Sequence, residues 1–258
     1  MARPLLAWRV VQRNALVYRR VWRGSVFFSF LQPALFLLAM GLGVGSLMRP
    51  GTVFPGGVTF LAFLAPGLLA STCMQTAMFE SSFPVLGKMV WRRNYEAMCA
   101  TPMGARDIVT GELVWIGLRL LAVASAFTVV MAVAGITRDR WAVAAVAAAV
   151  LTGVAFAAVV MAYAATLQNG ANFNVLFRFI MTPLSLFSGV FFPVTRLPPW
   201  LQGVAPWTPL YHGVELVRGL ILHGIGPVQA LRHALYLLVM LACGIAVARR
   251  TFARRLQA

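Results

Sequence analysis

Acidic side chains are scarce: six in 258 residues, beside 22 basic ones of which only Lys88 is a lysine. Charged residues of both signs make up 11% of the chain, against about a quarter in an ordinary soluble domain. So few charges cannot clothe a domain of this size in water. A soluble enzyme, a coiled coil and a disordered chain are all excluded. The apolar stretches hold no Asp and no central Glu, which leaves few candidates for a proton or sodium relay. Three cysteines, Cys73, Cys99 and Cys243, stand far apart, which excludes a disulfide framework and the usual metal spacings.

Nucleotide chemistry is missing as well. A phosphate-binding loop would have to use Lys88, but SSFPVLGKMV places Ser82 where the first glycine belongs. Met89 stands where Ser or Thr must hold magnesium. There is no HExxH, no Asp cluster and no Ser-centred nucleophile elbow. Whatever powers this chain is expected to be another subunit.

What is present is apolar: 60% hydrophobic residues and a mean hydropathy of +0.82. The expected solvent is lipid. A net charge of +16 would suggest nucleic acid if it stood alone. Most of the arginines, however, sit just outside apolar segments, where basic residues fix membrane orientation; no nucleic-acid partner is expected.

Residues 1–25 are basic without the pattern of a cleaved signal. Leu5, Trp8, Val11, Ala15, Tyr18 and Trp22 recur at helical spacing, with Arg9, Arg13, Arg20 and Arg23 mostly off that stripe. This predicts an amphipathic helix on the membrane surface. Residues 26–258 then read as one all-α, polytopic membrane domain of six spans: Val26–Met48, Gly57–Phe79, Thr110–Gly135, Trp141–Thr166, Phe173–Val194 and Ala230–Ala248. Pro33, Pro66 and Pro183 fall inside spans, where membrane helices tolerate them. With the N-terminus inside, fourteen basic residues face the cytoplasm and six, including Arg49 and Arg138, face outward. Both termini are therefore expected in the cytoplasm. The loop 80–109 is long, charged and cytoplasmic. Residues 195–229 are external yet apolar, and Pro198, Pro199, Pro206 and Pro209 divide them into short re-entrant helices.

Two segments resemble a known family. FESSFPVLGKMVWRRNYEAMCATPMGARDIVTGE (Phe79 to Glu112) and SGVFFPVTRLPPWLQGVAPWTPLYHGVELVRG (Ser188 to Gly219) are similar to the matching parts of ABC-2 type exporter permeases. The closest subgroup is that of nodulation-factor and daunorubicin/multidrug exporters. The resemblance implies a permease of the bacterial cytoplasmic membrane that carries no cofactor itself. ATP and Mg would lie on a separate cytoplasmic ATPase, two permeases (copies or paralogues) would pair with two such subunits, and an amphipathic substrate would move outward.

The resemblance also assigns roles. Asn94, Tyr95, Glu96, Met98, Thr101 and Pro102 correspond to the coupling helix that docks on the ATPase. Tyr95 and Met98 would supply packing, and Glu96 would meet a basic residue. The spacing alone equally allows a helix lying on the membrane through Tyr95 and Met98. Glu80 and Glu112, at the inner ends of spans, could bridge leader arginines, with Arg92 and Arg93 among the ion pairs of a cytoplasmic gate. Arg119, about 13 Å into its span at 1.5 Å per residue, should face protein or water, pairing with an acid or a substrate headgroup. Arg178 is shallower and can snorkel. The fifth span lines the path in the family, which singles out Phe177 and Phe187, with Phe191, Phe192 and Pro193 as an external gate. His212, Glu215 and Arg218 share a helix face and read as a hydrogen-bonding network. A lipid-modifying enzyme built on His212 and Glu215 is the rival reading, and an ion-coupled carrier a third.

Overall fold

A computed structural model describes residues 4–20, 24, 31, 34–44, 54, 57–137 and 140–257. Trp22, Arg23, Pro33, Arg49, Arg138 and much of the expected first span lie outside them. The leader is helix α1 (Pro4–Tyr18). Helix α2 (Phe60–Ser81) is followed by α3 (Phe83–Leu86) and a π-helical turn at Gly87–Trp91. Then come α4 (Asn94–Cys99), α5 (Ala105–Val133) and α6 (Trp141–Ala164). Helices α7 (Ala171–Leu176) and α8 (Thr182–Phe187) flank a π turn at Phe177–Met181. Two further helices, α9 (Pro199–Val204) and α10 (Pro209–Ile221), lead to the long α11 (Pro227–Gln257).

Four segments are long and apolar enough to cross a bilayer: Phe60–Trp91, Ala105–Val133, Trp141–Ala164 and Pro227–Leu256. The expected fifth span is a shorter apolar helix, Ala171–Phe187. It stops early because Gly189 adopts φ +77 and turns the chain away, while the Ser188 hydroxyl bonds that of Thr208 at 3.0 Å. A left-handed backbone of this kind suits glycine because a Cβ would clash. Phe191 and Phe192 therefore lie in bent chain beyond the helix. The short helices read between the fifth and sixth spans are present as α9 and α10.

Helix α6 is the centre of the bundle, packed against α2, α5, α10 and α11. Its sequence WAVAAVAAAVLTGVAFAAVVMAYA explains this, since small residues let helix backbones approach in a membrane. A Cβ on Gly153 would lie 2.6 Å from Leu120 and 2.8 Å from the Cys73 carbonyl oxygen, so α6 meets α2 and α5 at one glycine.

The leader does not lie free on a surface. It packs along α5, burying Val10, Val11 and Asn14, whereas Trp8 of the expected apolar stripe is half exposed. The buried face thus keeps Val11 of that stripe but extends to Val10 and Asn14, because the contact is made to a protein groove opened by Gly111. A Cβ there would sit 2.6 Å from both the Ala7 carbonyl oxygen and the Val10 Cβ. Gly111→Val is expected to cost about 1–3 kcal/mol as an overpacked contact and to lift α1 off α5. Faster tryptic cleavage at Arg9 and Arg13 would register this, while Gly203→Ala, where an added Cβ meets nothing within 4 Å, leaves the rate unchanged.

Candidate functional site

The chain reverses between α3 and α5 through a short elbow. Arg93 takes a left-handed backbone, φ 45, which is uncommon for a residue with a side chain, and α4 starts directly after it. At the other end the Thr101 hydroxyl donates to the Met98 carbonyl at 2.6 Å, and Pro102 follows. Asp107 accepts from the Gly104 amide at 3.0 Å and opens α5. Helix α4 has two unlike faces. Glu96, Thr101 and Pro102 are exposed, Asn94 and Met98 are half buried, and Tyr95 has no exposed surface at all. Tyr95 is therefore not a surface packing residue, nor one that lies on a membrane. Its ring tilts against Phe252 of α11 with centroids 5.7 Å apart.

Tyr95 ends on a buried carboxylate. Its hydroxyl donates to Glu112 Oε1 at 3.0 Å, and Glu112 is 1% exposed. Lys88 Nζ from the π turn reaches both carboxylate oxygens at 2.8 Å, and Asn14 Nδ2 from the leader donates to Oε2 at 3.0 Å. Lys88 also donates to Asn14 Oδ1 at 3.1 Å, closing the network. Burial, then the Glu112 charge and hydrogen bond, raise the Tyr95 phenol well above its ordinary pKa, so it stays a donor.

Glu112 thus meets the leader through Asn14 rather than through an arginine, and its counter-charge is Lys88. Glu80 pairs instead with Arg119 at 3.0 Å, the Arg119 guanidinium lying 4.4 Å over the Tyr18 ring. Arg119 is accordingly held by an acid of the chain itself. Arg92 is exposed and makes no ion pair among the described residues; Arg93 makes only a loose 4.0 Å contact with Glu96. Sequence reasoning missed Lys88 and Asn14 as partners. The lone lysine of the chain was a visible signal, but its distance in sequence from Glu112 hid the pairing.

The expected path residues lie on the shorter helix. Phe177 is half buried, its ring tilted against Phe79 and Phe83 and stacked on Phe173, at centroid distances of 4.5, 6.2 and 6.3 Å. Arg178 is exposed and borders a cavity of about 430 Å³ with Asn174 and Thr182; Phe187 is 38% exposed. Phe191 leans on Phe36 at 6.4 Å. Phe191, Phe192 and Pro193 are half buried on the turn that Gly189 begins.

That turn is held by Arg218 of α10. Its Nη2 donates to the Gly189 carbonyl at 2.7 Å, its Nε to the Phe63 carbonyl at 3.2 Å, and its Nη1 to Glu215 at 3.0 Å. His212 is committed elsewhere, with Nδ1 2.7 Å from His233 Nδ1 and its ring stacked 3.9 Å from that of Tyr236. The expected trio is thus split into a Glu215–Arg218 pair and a His212–His233 pair. Among the described residues no group of three metal-ligating side chains occurs.

Burial, then the neighbouring His233, push the His212 imidazole down to about 4. A ring that is neutral when packed but protonates near 6.5 when free contributes stability that is complete above that value and is lost as pH falls toward 4. Acidification through this window is expected to speed hydrogen exchange in α10. The response should flatten in His212→Gln, which cannot titrate.

The chain matches the family model described as ABC-2 type transporter over residues 6–222. It is 31% identical to Nodulation protein J of Rhizobium leguminosarum bv. trifolii over 254 residues, covering 97% of this chain and 94% of that protein. It is 31% identical to Nodulation protein J of Neorhizobium galegae over 247 residues, 95% and 92% of the two chains. It is 24% identical to Inner membrane transport permease YadH of Escherichia coli (strain K12) over 208 residues, 78% and 77% of the two. With its membrane-length helices and the match to most of its length, this chain belongs to the ABC-2 type transporter family and is a multi-pass membrane permease rather than an enzyme.

Proposed function

We propose that this permease is the membrane half of an ATP-driven exporter that moves an amphipathic substrate outward across the bacterial cytoplasmic membrane. A separate cytoplasmic ATPase docks on the elbow. Two permeases, copies or paralogues, pair so that the exposed residues of the fifth helix border a shared path. The substrate is a drug, a lipid, or a glycolipid or polysaccharide. Both termini lie on the ATPase side, as the charge count requires.

One observation carries the reading: the elbow is tied to the bundle through Glu112. Its outward face, Glu96 with Met98, Thr101 and Pro102, offers an acid beside a half-buried thioether, a surface for a basic groove. Its inward face, Tyr95, ends on the carboxylate that also holds α1 and the π turn after α3 and that belongs to α5. A push on the elbow is transmitted through Tyr95 rather than absorbed by side chains at a surface. Fuel comes from the partner, because Lys88 is spent on Glu112 and its segment lacks the glycine and the Ser or Thr of a nucleotide-binding loop.

Docking is tested at the exposed acid. Glu96→Arg is expected to abolish transport-coupled ATP hydrolysis in the assembled complex while the permease still folds and inserts; normal coupling in that variant defeats the assignment. Transmission is tested at the buried pair. Lys88→Met leaves Glu112 without its counter-charge and is expected to cost about 3–5 kcal/mol in thermal unfolding. The double variant Lys88→Met/Glu112→Leu should recover most of that stability without recovering coupling, which separates a transmitting role from a merely structural one.

A further inference from the structure

Between the leader and the inner ends of α2 and α5 lies an open crevice of about 360 Å³. Its lining includes Glu80, Lys88, Trp91, Arg92, Trp115 and Arg119. We infer that this crevice is a binding site for the phosphate of an anionic lipid from the leaflet that the leader borders.

The charges argue for an anion. Lys88 is matched by Glu112 behind it and Arg119 by Glu80 beside it, both at ion-pair distance. Arg92 adds a further positive charge on the rim, exposed and without an ion pair or hydrogen bond among the described residues. The crevice therefore carries one positive charge more than its own acids neutralise. Basic side chains beside a bilayer attract anionic lipids with about 1 kcal/mol each, roughly five-fold in binding.

The walls argue for a lipid rather than a dissolved ion. Trp91 is 64% exposed and Trp115 is half buried against Tyr18, with ring centroids 5.7 Å apart. Phe83 and Pro84 continue the apolar side of the lining. Indoles of this kind settle at the headgroup level, where one edge is wet and the body is apolar. The leader roofs the crevice with Val17 and Tyr18, so the opening lies along a helix whose Trp8, Leu16 and Val17 stay exposed, as a face that meets lipid would be. A headgroup held here would lie beside the Lys88 charge, whose three N–H groups are already committed to Glu112 and Asn14, and would take its hydrogen bonds from Arg92.

Binding is tested on the isolated chain, so the outcome is independent of the exporter assignment. The chain is reconstituted in phosphatidylcholine nanodiscs containing a minor fraction of phosphatidylglycerol whose acyl chains are brominated near the headgroup, and tryptophan fluorescence is read. Phosphatidylglycerol is expected to quench more than equally brominated phosphatidylcholine. Trp115→Phe should remove part of that excess, and Arg92→Gln should lower the apparent preference by about five-fold. Arg196→Gln, an exposed arginine on the opposite side of the bilayer by the charge count, should leave the excess intact. Equal quenching by the two lipids, or an excess that survives Arg92→Gln, overturns the site. Loss of the excess in Arg196→Gln reduces it to bulk electrostatics and overturns it equally. Soluble glycerol phosphate is the last arm: no competition assigns the site to a membrane-borne headgroup, and full competition overturns the lipid assignment in favour of a free phosphate ester.

Discussion

A carboxylate placed in a membrane protein's interior must be answered by donors, because burying it unpaired costs far more than any single contact returns. Glu112 is answered three times, by Asn14, Lys88 and Tyr95, and each donor comes from a different segment of the chain. That one requirement fixes the leader against α5, places the π turn after α2, and turns the elbow's aromatic ring inward. Among the described residues no buried side-chain nitrogen or oxygen lacks a partner. The inner end of the bundle is therefore specified by polar bonds that apolar packing alone would not orient.

A second buried charge does the same at the opposite end of the bundle. Arg218 reaches carbonyl oxygens of Gly189 and Phe63 and lies 3.9 Å over the Phe63 ring, so the outer helix α10, the turn after the fifth helix and the start of α2 meet at one guanidinium. Burial lowers the Arg218 pKa from its ordinary value, yet the starting value is so high that the group stays charged. Gly67 belongs to this junction as well, since a Cβ there would fall 2.9 Å from Arg218 Nη2. The carbonyls exposed where the fifth helix breaks are satisfied here rather than left to lipid.

Much of the architecture was legible because a bilayer imposes length and composition on whatever crosses it. Helices α2, α5, α6 and α11 fall on four of the six expected spans; α5 and α11 begin earlier than hydropathy suggests and α11 runs on past Ala248, while α6 stops short of Thr166. The short outer helices were legible from Pro198, Pro199, Pro206 and Pro209. The exposed face of the elbow was legible from Glu96 and Thr101-Pro102. What was not legible is which side chains meet across the bundle. Tyr95 reads as a surface aromatic by its position beside charges, and only the fold shows that it spans to Glu112. Of the leader's apolar stripe Val11 is buried while Trp8 is exposed, and Val10 and Asn14, which are off the stripe, fit the groove that Gly111 opens. His233, the partner of His212, stands 21 residues away on another helix and gave no local signal. Periodicity reports which face of a helix is apolar, not which neighbour will cover it.

The two buried charges also divide the molecule mechanically. Helix α2 is tied to Arg218 at its outer start, and the inner end of its segment carries Lys88 of the Glu112 network. Helices α2, α5, α6 and α10 interlock through glycine contacts such as Gly153 and Gly213, where a one-atom shift meets backbone or a stiff Thr152 side chain. A block packed in this way transmits displacement instead of deforming. The fifth helix is attached differently. Phe173 and Phe177 rest on Phe79 and Phe83 through ring contacts, its middle is a π turn, and its far end turns at Gly189, whose carbonyl Arg218 holds. Ring contacts slide at little cost and lack the directionality of the ion pairs at either end. In the proposed cycle the elbow therefore drives the block as one piece. The fifth helix, bearing Arg178 and Phe187, is the element whose position relative to that block can change.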